Sequence, residues 1–499
     1  MTPKWYLHCT LALVAGPLAA QATRVTQRPA PPPRDIVARG VAAIGGEAAL
    51  RDLRAVSNES YAAVFALGQE ETPESPAGAT ISSGRSVTDY AGGRLLSTLE
   101  ARNVNGTVNK LRRVVAGGIG LAETDGQQTP MNPGMLATFE TDMRRYPDRI
   151  LLAALDNSAA LSALPSQTFR GRAHDGVRYA AGPDTVGLFF DRATGLLTVL
   201  VTLTDDPVLG DRRTETWVTR WQSVGGGVLF PRQIDRFWNG RLQVHSVITA
   251  VSANPVIADS LFAIPDSIAA KAQHSSSTPP PVVVTLVELA PGVWRAEGGT
   301  HHSLVVDQGA RLVVVEAPLG AARMDAVLDT LRARFPTKPV RLIVNTHHHW
   351  DHSGGLRAVL SAGVPVITSA GNVAFVRGIS TARKTVTPDQ LARRLGPARI
   401  PVPPISGVTD SLVLGSGDGL VVIYRLPTTH VEGMLAAYVP AARLLFVSDV
   451  LSPGPTLAPV GSAELVALVR ARGITVERVA GGHGGVAAWA DVEKAATTP

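Results

Sequence analysis

The residues with the most chemical promise lie in one run, Thr346-His347-His348-His349-Trp350-Asp351-His352-Ser353-Gly354-Gly355. It starts where an apolar segment, Arg341 to Asn345, ends, and that segment reads as a short strand. Side chains two apart on an extended chain point the same way, so His347 and His349 can converge while His348 points elsewhere. Asp351 and His352 follow once the chain has begun to turn into a helix, and they can address a second point close by. Three further candidates each stand just past an apolar strand. His430 follows Val421 to Leu426, Asp449 follows Leu444 to Val447, and His483 follows Ile474 to Val479 within Gly481-Gly482-His483-Gly484-Gly485. Strand C-termini of α/β sheets gather at one edge, where ligands bind. Seven metal-competent side chains are therefore expected on one rim, five imidazoles and two carboxylates. That donor set suits zinc better than magnesium or calcium.

The elements that must position them follow from the rest of the chain. With 499 residues and roughly 100–200 residues per domain, two to four domains are expected. A composition 45% hydrophobic and 18% charged excludes wholesale disorder. The one cysteine, Cys9, excludes an internal disulfide framework, a thiolate zinc site and an iron–sulfur cluster. The net charge of +6 is not concentrated in any Lys/Arg block, so no nucleic-acid partner is expected.

Residues 1–22 read as a secretory signal: Lys4, the apolar run from Cys9 to Ala20, then Ala20-Gln21-Ala22 as a cleavage site. The apolar run is too short to span a membrane, so the expectation is an exported protein, periplasmic or secreted, with no stable membrane span. Residues 23–34 form a Pro-rich spacer and 35–267 a β-rich domain. In that domain Val37, Val41 and Ile44 predict a helix, Arg149 to Leu164 a second, and Gly187 to Thr204 a hairpin. Residues 268–282 read as a low-complexity linker. From 283 to 496 a β meander gives way to alternating strands and helices, with a helix carrying Met324, Val327, Leu328 and Leu331.

Residues 283–496 resemble the metallo-β-lactamase superfamily, whose signature H-x-H-x-D-H stands here as His347, His349, Asp351 and His352. The resemblance implies an αβ/βα sandwich with a dinuclear zinc site where the sheets meet. It implies His347, His349 and His430 on the first zinc ion, and Asp351, His352 and His483 on the second. Asp449 would bridge the two, and Asp351 would also orient a hydroxide shared by the ions. The implied activity is zinc-dependent hydrolysis of an ester, thioester, lactone or amide. Asp449 stands where the β-lactamases usually carry Cys or Ser, so the resemblance favours the glyoxalase II-like and lactonase-like branches over a periplasmic β-lactamase. A redox diiron site is disfavoured, because His349 stands where the diiron branch places Glu. Glu316 and Thr429 depart from an Asp and a Gly common in the family.

Residues 160–266 resemble lipoprotein-carrier-like half-barrels through Gly227-Val228-Leu229-Phe230-Pro231 and Ala258 to Pro265. This implies a role in presenting a substrate, with an envelope lipid-binding protein bearing a vestigial metal site as the non-enzymatic alternative. The expected partner is a small molecule, apolar or anionic. Arg377, Arg383, Lys384, Arg393 and Arg394 offer charge for the anionic case or a solvated helix face. His301 and His302 line the site floor or simply begin a strand, His348 reads as solvent-facing or supporting, and Trp350 and Tyr438 as packing.

Overall fold

The computed structural model describes residues 31–182, 184–273, 281–394 and 401–497. The segment 1–22 expected to be a signal, most of the Pro-rich spacer and the stretch 274–280 lie outside the described residues.

Among the described residues, the N-terminal region builds one sheet of thirteen antiparallel strands. Six strands from Ala55–Phe65 to Gln127–Pro130 follow one another in order, and seven from Leu161–Phe169 to Arg241–Ala253 do the same. The two runs meet where Ala55–Phe65 pairs with Arg241–Ala253, in register Tyr61 to Val247, with a bulge at Glu59/Ser60. Consecutive antiparallel pairing needs only short turns, which the glycines and Asn/Asp residues of this region supply. Helices Pro33–Ala43 and Pro147–Asp156 both begin on proline, whose missing N–H costs nothing in the first turn. Their Val37, Val41, Ile150 and Leu151 bury against Phe190 and Phe230. At about 1.5–3 kcal/mol for each large apolar side chain, that contact anchors the helices to the sheet.

Two boundaries differ from the sequence pattern. The helix expected over Arg149 to Leu164 stops at Asp156, because Asn157 leaves helical geometry (φ −111°, ψ 59°) and Leu161–Phe169 becomes an edge strand. Its Leu161 and Leu164 mimic helical spacing, and Pro165 sits at the bulge that follows them. A helix at Asp266–Gln273 occupies the first part of the expected linker, carrying Ile268 into contact with Val87, Leu121 and Phe262. Its alanines favour a helix, but the Ser- and Pro-rich run that follows makes the whole stretch read as a linker.

The C-terminal region is an α/β sandwich of two sheets, and the chain is thus a β-rich domain followed by a two-sheet sandwich. Seven strands from Thr285–Ala290 to Ile405–Val408 form the first sheet, antiparallel at its start and parallel from Leu312–Val315 onward. Six strands from Ser411–Leu414 to Val486–Ala488 form the second. Leu304, Val313, Val315 and Val344 of the first sheet meet Ile423, Leu435, Leu444 and Phe446 of the second in a shared apolar core. Helix Ala321–Arg334 covers the first sheet with Met324, Val327 and Leu331, and Pro459–Arg472 covers the second with Leu465 and Leu468. The strand expected over Ile474 to Val479 lies at Arg478–Gly481 instead. Val476 is buried as irregular chain, and the Thr475 carbonyl accepts the Tyr438 hydroxyl at 2.6 Å. The Gly415 to Gly419 segment is a turn leading into strand Val421–Leu426.

Candidate metal centre

The sequence run Thr346 to Gly355 leaves strand Val340–Val344, crosses the sandwich edge extended, and enters a short helix at Trp350–Ser353. His430, Asp449 and His483 arrive at the same edge from loops that follow strands Val421–Leu426, Leu444–Val447 and Arg478–Gly481. All seven residues expected from the sequence come together. Among the described residues, ligand-type atoms of His347, His349, His430 and Asp449 lie within 4.8 Å of one another. Those of Asp351, His352 and His483 form a second such group, joined by His301.

Asp449 stands between the two groups and shows one oxygen to each. Oδ1 lies 2.8 Å from His352 Nε2 and 3.0 Å from His483 Nε2, while Oδ2 lies 3.2 Å from His430 Nε2 and 3.7 Å from His347 Nε2. The residues also pass a chemical test for a cation. His347 is fully buried, and its Nε2 faces this cluster with no hydrogen-bond partner in the protein. Leaving such an atom unmatched costs about 1–3 kcal/mol, a cost that a bound cation would remove.

The electrostatics sort the imidazoles. Burial, reinforced by His352 and His349, drives His347 well below its ordinary range. Burial and His430 push His349 down to about 4. Both are therefore neutral at pH 7, the form in which imidazole binds metal. Burial also opposes charge on His352, but the Glu316 and Asp449 carboxylates outweigh it and push His352 up to about 10. Asp351 and Asp449 are held below the usual carboxylate range. Burial works against this at both, and the facing His301 and His352 at Asp351, and His352, His430 and His483 at Asp449, overcome it.

A surrounding layer orients these donors. Glu316 is buried and left-handed (φ 83°), an uncommon conformation for a non-glycine residue. Its carboxylate accepts from His352 Nδ1 at 2.9 Å and holds the Thr346 main chain and hydroxyl. The longer Glu therefore performs a holding task at this strand end. Thr429 donates its N–H to Glu464 at 2.6 Å, and the Thr428 hydroxyl caps the N–H of His430.

Several residues fall differently from expectation. His301 enters the second group: its Nε2 stands 3.3 Å from Asp351 Oδ2 and its ring centroid 4.0 Å from that of His483. A histidine pair at the end of a Gly-Gly turn, just before a buried strand, was the available signal. His348, expected to be solvent-facing or supporting and not a ligand, joins neither group, but it is fully buried against Phe375 and so not solvent-facing. Lys384 is spent on Asp205 at 2.7 Å, and the exposed Arg383 guanidinium lies 3.9 Å from Asp211, so these two charges face the β-rich domain.

The β-rich domain also reaches the centre, which nothing in the sequence signalled. Its segment 66–78, between strands Ala55–Phe65 and Ala79–Asp89, lies over the metal-binding run. The Glu70 carbonyl accepts His349 Nε2 at 3.1 Å, and Gln69 Nε2 donates to Asp351 Oδ1 at 2.8 Å. Beyond His430, the same segment lines a cavity of about 400 Å³ with Thr72, Pro73 and Glu74, facing Asn372, Arg425 and Gly433.

Residues 296–483 match the family model described as the metallo-beta-lactamase superfamily, and this region carries that family's fold. The chain is 26% identical over 164 residues to the 2,4-dinitroanisole O-demethylase subunit alpha of Nocardioides sp., covering 33% of this chain and 45% of that one. It is 29% identical over 167 residues to the acyl-coenzyme A thioesterase MBLAC2 of Gallus gallus, covering 32% and 58%. The chain thus spans about half the length of the curated relatives it matches. Among solved structures, a metallo-beta-lactamase from Pontibacter korlensis is similar at 18% identity and a TM-score of 0.33, covering 42% of this chain and 95% of that one.

Proposed function

We propose that this protein is an exported zinc hydrolase that holds two zinc ions and cleaves an ester, thioester, lactone or amide. The observation that carries this reading is the position of Asp449, with one oxygen toward each of two histidine groups. His347, His349 and His430 would hold one ion, Asp351, His352 and His483 the other, and Asp449 both. Zinc bound there would supply Lewis acidity and water of lowered pKa. The chain's own residues do the rest. Asp351, fixed by Gln69 and His301, is placed to accept a hydrogen bond from a nucleophilic water and so aim it. Glu316 keeps the His352 ring turned toward Asp449.

A cavity beside the His430 loop is the proposed place for the non-reacting part of a small-molecule substrate. Asn372 supports this: it is buried, and its Nδ2 has no internal acceptor. The acyl-coenzyme A thioesterase relative agrees with an acyl substrate, over the share of its length that is matched. Export rests on the pattern of residues 1–22.

The test is an activity screen over esters, lactones, thioesters and a chromogenic β-lactam, with His347→Ala as control and metal content measured alongside. The expected result is two zinc ions per chain and acyl hydrolysis that a chelator abolishes. Well under one zinc per chain after reconstitution overturns the enzyme reading in favour of a vestigial site. A preference for the β-lactam overturns the substrate class. N-terminal sequencing of the mature chain from a secreting host checks export, with Thr23 expected first.

A further inference from the structure

We propose that the β-rich domain is a working part of the metal centre: its 66–78 segment fixes the tautomer of His349 and the orientation of Asp351. This rests on the metallo-hydrolase reading and adds a role for a domain outside the matched family region.

A carbonyl can only accept, so the His349 nitrogen that faces Glu70 O at 3.1 Å carries the proton. That leaves Nδ1 as the free lone pair, and Nδ1 faces His430 Nε2 at 3.1 Å, inside the first donor group. Asp351 is treated in parallel. Gln69 occupies Oδ1 at 2.8 Å, while Oδ2 faces His301 at 3.3 Å and His352 at 3.7 Å. One segment of the N-terminal domain thus touches one donor from each group. Partners of this kind set ligand orientation and basicity, and losing one typically weakens metal binding about 10–100-fold.

The segment is built to hold that position. Glu70 is 2% exposed, and both its carboxylate oxygens accept the Gly68 N–H, at 3.0 and 2.9 Å. Arg241 of the last strand of the sheet pairs with it at 2.5 Å. A buried carboxylate costs free energy unless paired, and here its partners tie the segment to its own sheet. Main-chain bonds then tie it to the other domain: Trp350 N–H to Gly68 O at 3.1 Å and Glu432 N–H to Glu71 O at 2.9 Å. Gly68 has φ +89°, and a β-carbon there would collide with the Trp350 indole. Trp350 in turn stacks on Trp238 of the sheet, centroids 6.4 Å apart, with Arg212 over the Trp238 ring at 4.4 Å.

The test uses the full chain in three forms beside wild type: Gln69→Ala, Glu70→Ala, and Tyr61→Ser as a control on the same sheet. Zinc stoichiometry and affinity are measured by competition with a chromophoric chelator, and the cobalt-substituted forms by visible absorption. Gln69→Ala is expected to weaken one of two zinc ions about 10–100-fold and to shift the cobalt bands. The unfolding midpoint of its metal-free chain should stay that of wild type. Glu70→Ala keeps the carbonyl but removes the carboxylate that holds Gly68 N–H and Arg241, so it is expected to loosen the segment, weaken the other ion and lower the unfolding midpoint; if it fails to fold, Gln69→Ala still decides. Both zinc affinities within about twofold of wild type in Gln69→Ala, with an unmoved cobalt spectrum, overturn the proposal. A wild-type chain that takes up no zinc overturns the hydrolase reading itself, so the two failures are distinguishable.

Discussion

The two regions of this molecule contribute to one site by different means. In the sandwich, strands Met434–Val439 and Leu444–Val447 are buried along their whole length. In the thirteen-stranded sheet, Leu161–Phe169 has no buried residue, and Arg241–Ala253 is mostly half-exposed. Strands covered on both faces hold their ends rigidly, so side chains at those ends can be aimed, as His347, Asp449 and His483 are. A sheet with one open face gives up that precision, but its long hairpins can carry main-chain carbonyls and amides to a distant surface. The sandwich supplies donor atoms. The sheet supplies the groups that hold two of the donors still.

That contrast can be broken by mutation. The largest effect is expected at Phe446, fully buried between the sheets. Phe446→Ala should cost about 3–5 kcal/mol in denaturant unfolding. A loss under about 1 kcal/mol would mean that the sandwich is not held by its double-covered core.

Next comes the docking between domains at Asp211. Its carboxylate accepts the main-chain N–H groups of Thr385 and Val386 at 2.6 and 3.1 Å, and the Thr385 hydroxyl at 2.7 Å. These bonds hold Asp211 below the usual carboxylate range, against the opposing pull of burial. A depressed carboxylate stabilises the folded state fully above its unfolded pKa, and that stabilisation is lost as pH falls through the folded value. Asp211→Ala should therefore cost about 1.5–3 kcal/mol at pH 7. The gap from wild type should close as unfolding is repeated toward pH 3. A gap independent of pH would show that Asp211 acts by packing alone.

Glu316→Gln keeps the shape of the group that faces His352 and removes its charge. Zinc affinity is expected to fall about 10–100-fold while the fold, read by circular dichroism, is retained. The smallest effect should come from the open face of the sheet: Tyr61, 60% exposed, should tolerate Ser within about 0.5 kcal/mol. If Tyr61→Ser destabilises as strongly as Phe446→Ala, the distinction between the two regions collapses.

Legibility in the sequence follows the same division. The succession of strands and covering helices and the convergence of seven donor residues could be read because each depends on side-chain type at a fixed spacing, whereas the sandwich itself was implied by the family resemblance. His301 was half visible, since a histidine beside a strand is ambiguous until the tertiary fold brings the Asp351 carboxylate to it. Gly68, Gln69 and Glu70 were not visible. Two of them act through main-chain carbonyls, which every residue has, and their targets lie far along the chain. Leu161 and Leu164 misled for a related reason: three residues apart they fit a helix by type and spacing, yet they stand in the regular start of an edge strand, opposite Tyr179 and Gly176.

The order in which the donors occur along the chain bears on refolding. His347, His349, Asp351 and His352 are neighbours in any conformation, whereas His430, Asp449 and His483 join them only after the second sheet has packed on the first. An unfolded chain therefore already offers zinc a partial chelate. A ligand with affinity for the unfolded ensemble stabilises the native state by less than its native affinity alone would give. Zinc present from the first moment of renaturation would also hold the early quartet before its remaining partners arrive. Refolding metal-free and loading zinc afterwards should give the higher yield of active protein.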